Sequence, residues 1–165
     1  MKKYELTAEF IEKWGKKLFR IKALISFGSV EAGELGGYIE KEDNLAHDGN
    51  AWVYGDAEVY GNARVYGNAR VSGDAEVSGN ADYLLIGRIG SRFSFTTFFK
   101  NKDKGITVSC GCFLGTIAEF RAKVTDTHGN NKHAKIYNLA ADMAELQILG
   151  EEHFDKLNTN KSESF

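Results

Sequence analysis

The sequence predicts a mainly β chain with an α+β C-terminal part, and three observations carry that prediction. A six-residue period runs from His47 to Asp82: H-D-G-N-A-W, V-Y-G-D-A-E, V-Y-G-N-A-R twice, V-S-G-D-A-E and V-S-G-N-A-D. Before the period, apolar and polar residues alternate between glycine-marked turns; after it, two strand-like runs precede a helix-capping signal and a 3.6-residue periodicity. The expected division is an N-terminal cap over 1–46, the repeats over 47–82, an α+β domain over 83–150 and a flexible tail over 151–165.

In the N-terminal cap, Phe19, Ile21, Ala23 and Ile25 share one face of an alternating run, with Arg20 and Lys22 on the other. Tyr4–Trp14 reads either as a short helix or as the first arm of a hairpin turning at Gly15, and the hairpin is the favoured reading. Gly28, Gly33, Gly36 and Gly37 mark turns before the charged segment Glu40–Asn44, which is expected to be solvated and turn-forming.

Each repeat has a mechanical reading. Val53, Val59, Val65, Val71 and Val77 suit short extended segments. Glycine followed by Asn or Asp tolerates positive φ, so the chain turns after each segment. The alanines of the units are small enough for a tight interior. This pattern resembles the hexapeptide repeats of left-handed parallel β-helices, in which three units make one triangular coil. That resemblance implies stacking of residues eighteen apart: Val53 with Val71, Val59 with Val77, Trp52 with Arg70, and the like-charged pair Glu58 with Glu76. Two such coils are too short to offset their ordering entropy alone, so the flanks are expected to cover both ends.

After Tyr83 the period is lost. Phe93–Lys100 and Gly105–Cys112 read as strands joined by N-K-D-K-G, with Phe93, Phe95 and Phe99 on one face, and Ile106, Val108, Cys110 and Cys112 on one face of the second. Thr116 and Glu119 have capping-box spacing, starting a helix with Ile117, Phe120 and Val124 toward a core and a stop near Gly129. A second helix over about 132–149 is expected to bury Ile136, Leu139, Ala140, Met143 and Leu146. Together these elements predict an antiparallel sheet with two helices.

Two stretches carry a further resemblance. F-R-I-K-A-L, V-E-A-G-E-L-G-G-Y-I-E-K-E-D-N-L-A and G-N-A-W-V-Y-G-D-A, within residues 17–82, resemble the opening of phage and prophage proteins that place such a cap before hexapeptide coils. V-S-C-G-C-F-L-G-T-I-A-E-F, within residues 86–146, resembles a domain of uncharacterised phage proteins. The resemblance implies a capped left-handed β-helix and a phage or prophage origin, and it brings no chemistry with it.

Composition narrows the function classes. The net charge of −2 points to no polyanionic partner, so nucleic acid is not indicated. No apolar run is long enough to span a membrane, and the start M-K-K-Y-E-L-T-A-E lacks a signal-peptide core. Two cysteines in such a chain read as reduced thiols, and the expected location is the host-cell cytoplasm.

Several residues qualify as sites. Cys110, Cys112, His128 and His133 match a zinc inventory, although C-x-C is tighter than usual and buried structural thiols are the plainer reading. A redox pair is disfavoured, because positions two apart on a strand lie near the limit of disulfide reach. Coenzyme A-dependent acyl transfer, a chemistry found on hexapeptide β-helices, would need a histidine base; His47 is the one histidine in the repeats. No other cofactor is expected. The preferred expectation is a non-catalytic accessory protein that binds a host or phage macromolecule, including a host antiviral defence factor as target. Trp52, Tyr54, Tyr60, Tyr66 and Arg70 are its candidate contact residues, being the types that dominate interfaces. The tyrosines fall on three different faces and form no single stacking track. A homo-oligomeric structural module is the third reading.

Overall fold

In the computed structural model, which describes residues 1–162, Trp14 (φ 48°) and Gly15 (φ 73°) close a two-residue hairpin turn. It joins β1 (Tyr4–Lys13) to β2 (Lys16–Ala23). Positive φ at both turn residues matches the right-handed twist of the arms. The hairpin alternative for Tyr4–Trp14 is therefore the one the chain adopts. β3 (Leu35–Ile39) lies antiparallel to β2, and a short 3-10 turn follows at Glu42–Asn44.

The repeats contribute four strands of two residues each: β4 (Trp52–Val53), β5 (Glu58–Val59), β6 (Arg70–Val71) and β7 (Glu76–Val77). Residues eighteen apart pair in parallel, Trp52 with Arg70, Val53 with Val71, Glu58 with Glu76 and Val59 with Val77. The repeat valines are buried, as are Ala51, Ala57, Ala63, Ala69 and Ala75. Gly49 shows why the turn residue is glycine: its φ is 69°, and a Cβ there would sit 2.5 Å from the Gly67 carbonyl oxygen.

The expected fold class is corrected by this topology. Among the described residues the protein is mixed α/β with three sheets and three α-helices, not a left-handed parallel β-helix standing between separate caps. β5 and β7 extend the sheet begun by the hairpin, giving the five-stranded order β1-β2-β3-β5-β7, while β4 and β6 pair apart. On the remaining side a single bridge joins Leu45 to Val65. The physical reason is the shortness of the repeat strands: two residues make few ladder bonds, and β5 and β7 gain more by extending the sheet of the hairpin and β3. The N-terminal region therefore belongs to one compact unit with the repeats, spanning Met1–Asp82, and a second unit starts at Tyr83.

Polar side chains finish the first unit where strands run out. Lys3 is 1% exposed, and its Nζ donates to the Ala51 carbonyl at 2.8 Å and the Gly49 carbonyl at 3.4 Å. Buried Asn44 donates to the carbonyls of Ala63 and Gly61. Each satisfies backbone acceptors that would otherwise be buried unpaired.

The second unit is an antiparallel sheet with strand order β11-β10-β9-β8, built from β8 (Tyr83–Ile89), β9 (Ser94–Lys100), β10 (Ile106–Cys110) and β11 (Phe113–Thr116). Phe93, assigned above to a strand face, lies in the β8–β9 turn and is exposed, while Phe98 is buried. The Thr116 hydroxyl accepts from the Glu119 amide, and the Glu119 carboxylate accepts from the Thr116 amide, starting α1 (Ile117–His128). Asn131 caps α2 (Lys132–Leu149).

Two further expectations are corrected. α2 buries Ala140 as expected, with Ala134, Tyr137, Ala141, Ala144 and Ile148, but leaves Leu139, Met143 and Leu146 exposed and Ile136 only half-buried. Small residues on the buried face let the helix sit close to Phe98 and Phe120 in the core. The expected tail from 151 is helical over α3 (Glu151–Ser162), and residues 163–165 lie outside the described residues. Among the described residues, no helix is long and apolar enough to cross a membrane.

Candidate functional site

The five residues singled out as contacts do not form one surface. Trp52 is 0% exposed, packed edge-on against Tyr4 and Phe27. An outward repeat position has become core because the N-terminal region covers it. Trp52 is therefore withdrawn as a contact residue. Tyr54 and Arg70 do come together, the guanidinium lying 5.0 Å from the ring centre, and the Tyr54 hydroxyl is within 3.2 Å of Ser29 Oγ. Tyr66 is exposed.

Tyr60 leads to a residue that sequence reasoning missed. Its hydroxyl donates to Glu76 at 2.9 Å, and its ring lies 5.4 Å from the ring of Trp14. Burial beside Glu76 and Glu58 raises the Tyr60 phenol well above its ordinary range, so it stays a donor. Trp14 is 65% exposed at the hairpin tip, with Lys13 Nζ 4.9 Å from its ring centre. The signal that could have found it was the W-G pair itself: once the hairpin is chosen, Trp14 must occupy a turn and cannot be core.

Lys13 also holds the first unit's edge together. Its ammonium lies 2.5 Å from Glu58 Oε2 and 3.6 Å from Glu76 Oε2, compensating the like-charged pair anticipated from the register. Glu40, in the segment expected to be solvated, accepts from the Gly61 amide at 2.7 Å and from Lys16. The Gly61 hydrogen bond, with Lys16 beside it, holds the Glu40 carboxyl below its ordinary range.

His47 sits under β1. Its Nδ1 accepts from the Lys3 amide at 3.2 Å, its ring stacks on Tyr4 at 4.3 Å, and its Nε2 faces Glu42 at 3.7 Å. Nδ1 is thus occupied by the backbone, and the other nitrogen is turned toward a carboxylate, an arrangement that fixes a ring in place and does not present a base to a substrate.

The cysteine–histidine set is dispersed. Cys110 ends β10, with the Thr96 hydroxyl 3.2 Å from its sulfur, whereas Cys112 is exposed in the next turn, off the strand face assigned to it. The rings of His128 and His133 are 5.7 Å apart, and His128 also stacks on Tyr137. Among the described residues no three His, Cys, Asp or Glu side chains come together as a metal-holding group.

No family model matches the chain, and no curated protein matches it significantly.

Proposed function

We propose that the protein is a non-catalytic accessory protein of phage or prophage origin that binds a host or phage protein in the host cytoplasm through the tip of its β1–β2 hairpin. One observation carries the reading. Trp14 adopts φ 48° in a position that glycine, asparagine and aspartate fill at lower cost, and there it holds a large indole in solvent beside Tyr60. A strained, exposed tryptophan contributes little to the fold, while Trp and Tyr are the usual anchors of protein interfaces. A host antiviral defence factor remains the proposed class of target, on the sequence resemblance to phage proteins.

The test is affinity capture from host lysate with the wild-type chain and with Trp14→Asn. A stoichiometric partner held by the wild type and lost by the variant supports the reading. Equal recovery by both chains rejects the hairpin surface, and no partner on the wild type rejects the binding role. A second reading, self-association, is favoured by exposed Leu139, Met143 and Leu146 on α2; sedimentation at rising concentration tests it.

A further inference from the structure

The second unit contains a cleft of about 380 Å³ at one end of its sheet. The β8–β9 turn supplies Arg92, the C-terminal half of α1 supplies Lys123, Thr127 and His128, and α2 supplies Tyr137. The chain as a whole carries more acids than bases, yet no carboxylate is among the described residues lining this cleft. Arg92 and Lys123 are both exposed, and neither has a carboxylate partner among the described residues. Arg121, on the same helix as Lys123, shows the contrast: it is paired with Asp142 and Glu145, each at 2.7 Å.

The walls are held in place. Gly90 packs so closely on the Tyr137 hydroxyl that a Cβ at that position would collide with it, which seats the Arg92 turn against α2. The His128 ring lies nearly parallel to that of Tyr137, at 28°. Burial, with Cys110 adjacent, pushes the Tyr137 phenol up to about 12, so the group remains a donor at neutral pH. Ser91 and Ser94 add hydroxyls at the mouth. Beside it, a smaller apolar recess of about 100 Å³ is lined by Phe113, Phe120 and Val124 and shares Lys123, His128 and Tyr137 with the cleft.

From this geometry we infer that the cleft is a binding site for a small phosphate monoester bearing a ring or short hydrocarbon group. Two cations match the charge of a phosphate dianion, the surrounding hydroxyls match its terminal oxygens, and the adjoining apolar recess takes the organic substituent. A carboxylate carries one charge and would leave one of the two cations uncompensated.

Calorimetric titration with phenyl phosphate, inorganic phosphate and benzoate tests the site on the full chain. Phenyl phosphate is expected to bind at one site per chain, more tightly than either inorganic phosphate or benzoate. Arg92→Ala and Lys123→Ala should each weaken it by about tenfold, and because both side chains are exposed, the thermal midpoint should not move. Absence of saturable phenyl phosphate binding overturns the inference, as does unchanged affinity in the Arg92→Ala, Lys123→Ala double variant. Benzoate binding as tight as phenyl phosphate overturns the assignment to phosphate.

Discussion

Lys13 Nζ lies 2.5 Å from Glu58 Oε2 and bridges on to Glu76, so a side chain from the hairpin neutralises two acids that the repeat register stacks together. Glu58 is 3% exposed, so removing Lys13 takes a close cation from a buried carboxylate. Lys13→Ala is expected to destabilise the first unit by roughly 3 kcal/mol in denaturant unfolding, and adding Glu58→Gln should recover most of the loss. Burial lowers the Lys13 ammonium, but Glu58 and Glu76 outweigh it and raise the group above its ordinary value. The stabilisation is therefore complete at neutral pH and is lost only as pH rises through that raised value.

Trp14→Asn supplies the Asn–Gly pair that a two-residue turn prefers. The variant should be no less stable than the wild type, and up to about 1 kcal/mol more stable, by thermal unfolding. A clear loss of stability would assign Trp14 a structural role and remove the basis for the proposed contact surface.

Lys3 predicts a pH dependence of the opposite sign to Lys13. Burial, against a smaller pull from Asp48, lowers its ammonium from 10.5 to about 8. Between about pH 8 and 10.5 the unfolded chain holds a proton that the folded chain has released, so stability rises with pH. The slope should reach at most about 1.4 kcal/mol per pH unit. Lys3→Met should flatten the wild-type profile in that window.

The two faces of α2 should respond differently to substitution. Leu139→Lys and Met143→Lys, on the exposed face, should shift the stability of the monomer by about 0.5 kcal/mol or less. Ala141→Leu and Ala144→Leu, on the buried face, should cost about 1–3 kcal/mol through overpacking. Equal effects on both faces would restore the face expected from hydrophobicity alone.

Phe120 joins the sheet to α2 through edge-on contacts with Phe98 and Tyr137 at 5.7 and 5.6 Å. Phe120→Ala should cost about 3–5 kcal/mol and unfold the second unit first. Retention of its cooperative transition would contradict the packing.

How much of this was legible depends on the range of the interaction concerned. The period from His47 to Asp82 was readable because turn chemistry and side-chain size are local, and so was the capping box at Thr116 and Glu119. The zinc inventory of Cys110, Cys112, His128 and His133 was readable as composition only, since convergence of side chains is a property of the packed chain. The contact surface was misread at Trp52 for the same reason, and Trp14 was missed because the hairpin, the favoured reading of residues 4–14, does not by itself say which side chain its tip leaves in solvent.

Local chemistry accounts for the turns, the inward valines and alanines and the helix starts, which follow from φ preferences, size and spacing within one element, whereas the eighteen-residue register came from the resemblance to hexapeptide repeats. Tertiary structure alone decided that β5 and β7 join the hairpin's sheet, that Trp52 is core, which stripe of α2 is buried, and that Arg92, Lys123 and Tyr137 meet at one cleft. Those outcomes depend on which distant surface covers a residue, and the free energy of that choice is shared between segments that are far apart in the chain.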